Sequence, residues 1–513
     1  MASSRFQPDS RSFVDMEPAA FRRAAHRVAD LVADYLERLE GYPVLPQLEP
    51  GSIRARCAAR APEQPETMDV ILDDYLQLVE PNVTHWQHPG FMAYFPSVAT
   101  GPGILGEWLA AGLNSNVMFW RNAPASTEIE EVAVAWLRDM LGLPVAFDGM
   151  FTDTASVSSL LSIVAARHVV PDLASRERGL AGRPETGRLR LYCSTEAHSS
   201  IEKGAIVAGI GREGVRRIPA DAAYRMQADL LAGAIAEDRA AGWQPFCVVA
   251  TLGTTSSTSV DPVREIAAVC AREKLWLHVD AAYAGVAAIA PEMRGLFDGW
   301  ERADSIVVNA HKWMWTPFDA SLLLFRDPGA FRDAFSLVPE YLKVKGPGGQ
   351  GDEATAARLT DPTFVHNYNE YGIQLGRRFR ALKIWMAIRA QGRQAIADEI
   401  RRHCRMAREL ASWIDSERDW ELLAPVPFAT VCLRHRPASL AAQASEPEVQ
   451  RRLDAHNEAI LDAVNRSGDI FISHTRLAGR YTIRVCIGNP RQEMRHVSRC
   501  WELLQEAARK IAV

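Results

Sequence analysis

Apolar positions in the first forty residues recur every three or four places. Phe21, Ala25, Val28, Val32, Tyr35 and Leu39 form one stripe, which predicts an amphipathic helix over 16–40 with Asp15 as its N-cap. Gly41-Tyr42-Pro43 stops it, the Pro-rich stretch to Pro65 reads as extended connection, and a second helix is expected over 68–79. Two helices cannot bury a core alone, so this segment must pack on the main body or on a second subunit. From about residue 125 short apolar runs alternate with Ala- and Glu-rich helical stretches. The runs at 189–193, 246–251, 276–279 and 305–308 are strand candidates, and strands alternating with helices predict a mainly parallel sheet covered on both faces. Ligands on such sheets sit at the carboxyl ends of strands.

Beyond a helix over 375–391 the pattern changes. A long basic helix around 393–415, a strand at 430–434, a helix at 447–466, strands near 469–473 and 480–487 and a last helix at 491–510 describe a small α+β unit. The expected division is a helical N-terminal segment (1–95), a large α/β domain (96–390) and a small C-terminal α+β domain (391–513).

Composition narrows the class. The 513 residues, 48% hydrophobic and 24% charged, match an ordinary globular chain with more than one core. A net charge of −5 gives no argument for nucleic acid or an anionic membrane as partner. Arg377-Arg378 and Arg401-Arg402 read as solvated helix faces. Eight scattered cysteines with no Cys-x-x-Cys pair read as free thiols in a reducing compartment. The polar N-terminus and the absence of a long apolar run make cytoplasmic the default. His85 and His88 have no neighbouring carboxylate or thiol pattern, so no metal site is read here.

The strongest local signal is the run from Ser305 to Trp315. An apolar strand leads directly into Asn309, His311 and Lys312, then into Trp313, Met314 and Trp315. The flanking strand and the bulky aromatics make surface exposure awkward, and a desolvated amine has a lowered pKa that favours the neutral nucleophile needed for a Schiff base. A second strand delivers Asp280, followed by Ala281, Ala282, Tyr283, Ala284 and Gly285, small enough on balance to admit a flat ligand. Alone, that Asp would be read as a turn cap. One strand–helix–strand step separates Asp280 from Lys312, and pyridoxal 5'-phosphate (PLP) enzymes need a carboxylate at the pyridine nitrogen and a lysine at the aldehyde carbon.

With these residues the sequence resembles the group II PLP-dependent amino-acid decarboxylases, specifically the aromatic L-amino-acid branch. The matching stretches are Thr84 to Pro96, Glu196-Ala-His-Ser-Ser200, Ala250-Thr-Leu-Gly-Thr-Thr255, His278 to Gly285, Asn309-Ala-His-Lys-Trp313, Tyr341-Leu-Lys343 and Leu375 to Lys383. The resemblance implies PLP-dependent transferase fold type I, of the aspartate aminotransferase-like kind, and a homodimer with sites at the subunit interface. Lys312 would carry the cofactor, Asp280 would pair with its ring nitrogen, Ala282 would pack on the ring and His198 would stack on the other face. Thr255 would lie near the substrate carboxylate or cofactor. Ala155, Ser156, Asn309 and His311 would hold the phosphate, and a helix beginning at 154–156 suits that anion.

Trp86, Tyr94, Phe95 and Pro96 imply an aromatic-lined substrate pocket. Asn116 and Met118 stand where that branch places apolar and aromatic side chains. The resemblance gives Tyr341 the role of proton donor on a mobile loop. Its Tyr, together with His198, favours decarboxylation of an aromatic L-amino acid (tryptophan, tyrosine, DOPA or phenylalanine type) to the amine. The alternatives are an aromatic aldehyde synthase and a decarboxylase of a non-aromatic amino acid.

Overall fold

The computed structural model describes residues 15–183, 187–337, 366–443 and 446–511. Eleven strands among them form two sheets. The large sheet comprises β1 (Asp148–Thr152), β2 (Arg188–Ser194), β3 (Val215–Ile218), β4 (Trp243–Thr251), β5 (Trp276–Asp280), β6 (Ser305–Asn309) and β7 (Ser321–Phe325), in the order β1-β7-β6-β5-β4-β2-β3. β3, β2, β4, β5 and β6 are parallel, while β7 runs against both β6 and β1. The expected mainly parallel sheet is therefore present. β5 and β6 are buried along their whole length, as strands covered on both faces must be.

The small sheet is antiparallel, in the order β10-β11-β9-β8, from β8 (Trp420–Leu422), β9 (Thr430–His435), β10 (Ser473–Leu477) and β11 (Arg480–Cys486). Between the sheets runs one long helical stretch, Ala381–Ser416, broken at Gly392 by a φ of 74°. It joins the two sheets physically. Trp313 donates to His403 on this helix (3.1 Å), and His403 reaches the carbonyl of Asn489 (3.0 Å). Trp315 donates to the Gly488 carbonyl (2.7 Å). The two tryptophans that follow Lys312 thus fasten the large sheet to the C-terminal region.

Four expectations differ from the structure. The first helix is Pro18–Glu37 with Glu17, not Asp15, at its N-cap. A proline at the first helical position needs no N–H partner and sets the start there, while Asp15 accepts from the neighbouring Met16 amide (2.8 Å). The helix expected from 375 begins only at Ala381. The Arg377 amide donates to Asn116 Oδ1 (2.8 Å) and its carbonyl accepts from the Val117 amide (2.9 Å), so this backbone is committed to another segment.

Arg377 is also no solvated residue. It is buried, pairs with buried Glu130 (2.5 Å) and lies 4.5 Å from the Tyr368 ring. Finally, the strand placed near 469–473 is Ser473–Leu477. Ala478 and Gly479, both left-handed (φ 48° and 77°), make a two-residue hairpin that pairs Leu477 with Arg480, and such a turn sets the register.

Candidate active site

The carboxyl ends of β4, β5 and β6 open into a cavity of about 720 Å³. Asp280 ends β5, and Asn309 ends the adjacent parallel β6 with Lys312 three residues beyond. Gly285 lets the segment after Asp280 lie on β6, since a Cβ there would stand 2.7 Å from Val308 Cγ2. Lys312 is half-buried and lines this cavity. Desolvation lowers its pKa, opposed by the Asp280 charge and reinforced by Arg484. Its ammonium nitrogen lies 5.1 Å from the centre of the Phe95 ring. Phe95 stacks on Tyr283 (3.9 Å), which stacks on Trp313 (4.9 Å), so three rings run from the cavity wall into the core.

The groups around this pair are locked by short-range bonds. Asp280 Oδ1 accepts from the Ala282 amide (3.1 Å). His198 caps helix Ser199–Val207, its Nδ1 accepting from the Ser200 amide (3.1 Å). Nδ1 is thereby unprotonated, and a neutral His198 carries its proton on Nε2. Burial lowers its pKa. His311 Nδ1 accepts from the Ala320 amide (2.9 Å), and burial pushes the imidazole down to about 3.

Helix Ala155–His168 begins at the cavity rim with no side-chain cap, because the Thr154 hydroxyl turns to Asp153 Oδ1 (3.2 Å). Ala155 and Ser156 in its first turn line the cavity, and free N–H groups at such a helix start suit an anion. Buried Asn309 Oδ1 also lacks a partner among the described residues. An enclosed amine, a nearby carboxylate and an uncapped helix start together fit PLP.

The structure brings together Trp86, Tyr94, Phe95, Pro96, Ala155, Ser156, His198, Thr255, Asp280, Ala282, Asn309, His311 and Lys312 around this one cavity. Asn116 and Met118 are not among its lining. Asn116 Oδ1 is taken by the Arg377 amide and the Met118 carbonyl by the Asn369 amide (2.9 Å). Tyr341 lies outside the described residues.

Sequence reasoning missed the opposite wall: Ser473, His474 and Thr475 on β10 and Arg484 on β11. Arg484 donates from Nε to the Ser256 carbonyl (3.0 Å) and from Nη1 to the Tyr94 carbonyl, and its guanidinium lies 4.6 Å from the Phe95 ring. Its buried Nη2 has no partner among the described residues. The available signal was an arginine between Ile483 and Val485 in an otherwise apolar strand, since a buried cation needs an anion.

Residues 50–436 match the pyridoxal-dependent decarboxylase conserved domain. The chain is 38% identical to phenylacetaldehyde synthase of Arabidopsis thaliana (96% of each chain) and 37% identical to tyrosine decarboxylase 2 of Narcissus pseudonarcissus (97% of this chain, 95% of the relative). Its fold superposes on Oryza sativa TDC, solved with PLP and tryptamine, with a TM-score of 0.88 at 34% identity, covering 97% of this chain and 99% of that one. The fold is that of the type I PLP enzymes, as expected. The chain belongs to the pyridoxal-dependent decarboxylases, lyases that use PLP as cofactor.

Proposed function

We propose that this enzyme removes the carboxylate of an aromatic L-amino acid, of tryptophan, tyrosine, DOPA or phenylalanine type, giving the amine and CO2. The observation that carries the proposal is the pairing of Lys312 and Asp280 in a cavity whose other side offers Trp86, Tyr94, Phe95 and the unpaired Nη2 of Arg484. When bound, PLP supplies an electron sink for the bond pair left by CO2. Lys312, its pKa depressed by burial, provides the amine that attaches the cofactor. Asp280 would hold a proton on the ring nitrogen, and His198 and Ala282 would hold the ring between them. The Ala155 and Ser156 amides with Asn309 and His311 hold the phosphate, and Thr255 lies near the reacting end. Arg484 donates a charge-assisted hydrogen bond to the substrate carboxylate, and Tyr341 returns a proton to Cα.

Likeness to phenylacetaldehyde synthase at 38% identity supports a second reading, in which the product is an aldehyde. Product analysis separates the two. Stoichiometric amine and CO2 support the decarboxylase; ammonia and peroxide in step with CO2 support the aldehyde synthase. Tyr341→Phe is expected to move output from amine toward aldehyde, and an unchanged amine yield removes Tyr341 from the proton-donor role.

The working unit is a homodimer in the cytoplasm. Leu105, Trp108, Leu109 and Leu113 on helix Gly101–Leu113 are exposed, as are Phe21 and Val32 on the first helix, and such surface supports burial against a second copy. Seven of the eight cysteines are buried free thiols, in keeping with a reducing compartment. No helix among the described residues is long and apolar enough to cross a membrane. Light scattering that finds an active monomer would overturn the dimer.

A further inference from the structure

Ser159 lies about one turn into helix Ala155–His168, whose start faces the cavity. Its hydroxyl is 3.1 Å from His278 Nε2 on β5. On the other side of the ring, His278 Nδ1 is 2.9 Å from Ser305 Oγ on β6. Trp276 Nε1 donates to that same oxygen at 3.0 Å. Ser159, His278 and Ser305 are fully buried.

An indole N–H can only donate, so Ser305 Oγ accepts from Trp276. Burial pushes the His278 imidazole down to about 4, so it is neutral, and its two ring nitrogens bridge Ser159 and Ser305. The next hydroxyl of the helix, Ser158, reaches Thr152 Oγ1 on β1 (2.7 Å) and Ser321 Oγ on β7 (3.1 Å). Polar bonds therefore pin the helix to three strands of the sheet and, through His278, to a fourth, and His278 is its link to the strand that carries Asp280. Side chains two residues apart on a strand share a face, so His278 stands directly behind Asp280.

We propose that His278 is a positioning residue that sets the spacing between the two halves of the cofactor site. One half is the phosphate-facing start of helix Ala155–His168, and the other is Asp280 opposite the ring nitrogen. The inference rests on the site assignment made under the proposed function. A rigid ligand held at both ends gains affinity from joining two subsites only while their spacing matches its length. Loosening the link leaves each half able to bind its own fragment and removes the gain from joining them.

The test uses the full-length chain, stripped of cofactor and titrated separately with PLP, pyridoxal and inorganic phosphate. Ser159→Ala and His278→Asn are expected to raise the Kd for PLP by about tenfold or more, with the two fragments changed less than about twofold. His278→Gln, whose longer amide can still reach Ser159, is expected to restore most of the affinity that His278→Asn loses. Ser159→Ala deletes only a hydroxyl, so it answers the question if the histidine variants do not fold. An unchanged PLP affinity in Ser159→Ala overturns the inference, as does an equal weakening for all three ligands, the mark of a merely structural role. Wild-type chain that takes up no PLP overturns the site assignment beneath it, a result distinct from both.

Discussion

The two walls of the cavity are built differently. On the large-sheet wall, hydrogen bonds to nearby sequence hold the main polar side chains: Ala282 to Asp280, Ser200 to His198, Ala320 to His311. On the small-sheet wall, the bonds cross between distant parts of the chain. Arg484 is clamped by Ser256 and Tyr94, Ser256 Oγ meets Thr475 Oγ1 at 2.7 Å, and the Tyr94 amide donates to Ser473 Oγ at 3.2 Å. The first wall is organised by each strand end for itself, whereas the second exists only once the small sheet has docked. Under the proposed function, cofactor chemistry belongs to the first wall and substrate recognition to the docked one.

The largest effect belongs to the local wall. Lys312→Ala is expected to lower turnover by at least about 10^3-fold while leaving the circular dichroism spectrum unchanged; borohydride should fix cofactor to wild type at Lys312 and leave this variant unlabelled. Substantial residual turnover would separate Lys312 from the chemistry.

A charge cluster braces the edge of the same sheet. His366 lies between Glu131 (2.6 Å) and Asp148 of β1 (2.8 Å), and these carboxylates outweigh its burial and raise its pKa to about 10. A raised histidine contributes stability that is fully present below its unfolded value near 6.5 and is lost as pH rises through about 10. His366→Gln should therefore cost about 3 kcal/mol in urea unfolding at pH 6, with the gap closing toward pH 10. A gap constant with pH would exclude the charged cluster.

On the docked wall, Arg484→Met should cut kcat/KM about 30-fold, near 2 kcal/mol, with cofactor absorbance retained. Equal loss of cofactor would break the division between the walls. The smallest effect is the Ser256–Thr475 contact. A double-mutant cycle with Ser256→Ala and Thr475→Val should show a coupling of about 1 kcal/mol in unfolding. No coupling would mean that this contact does not help dock the small sheet.

The difference between the walls also explains what could be read in advance. Asp280, Asn309, His311 and Lys312 follow apolar runs within a few residues, and strand ends on a parallel sheet face the ligand side whatever else the chain does. β1 and β10 were harder to place, because Asp148-Gly149 and His474-Thr475-Arg476 carry no apolar alternation. Arg377 looked like a solvated helix residue since Glu130, its buried partner, lies on helix Pro124–Leu141, far away in sequence. Asn116 was read as pocket-lining from its place in a motif; in the single chain it does not line the cavity, and its Oδ1 accepts from the Arg377 amide.

By itself the sequence determined the parallel-sheet architecture and the lysine–aspartate pair at neighbouring strand ends, because both depend on short-range periodicity and on the few residues that follow each strand. Only the tertiary structure decided that Arg484 and the strand at 473–477 close the site, and that the helix start at 155 is tied to the Asp280 strand through His278. Those contacts join residues more than a hundred positions apart, and burial and hydrogen bonding select them only after the chain has collapsed.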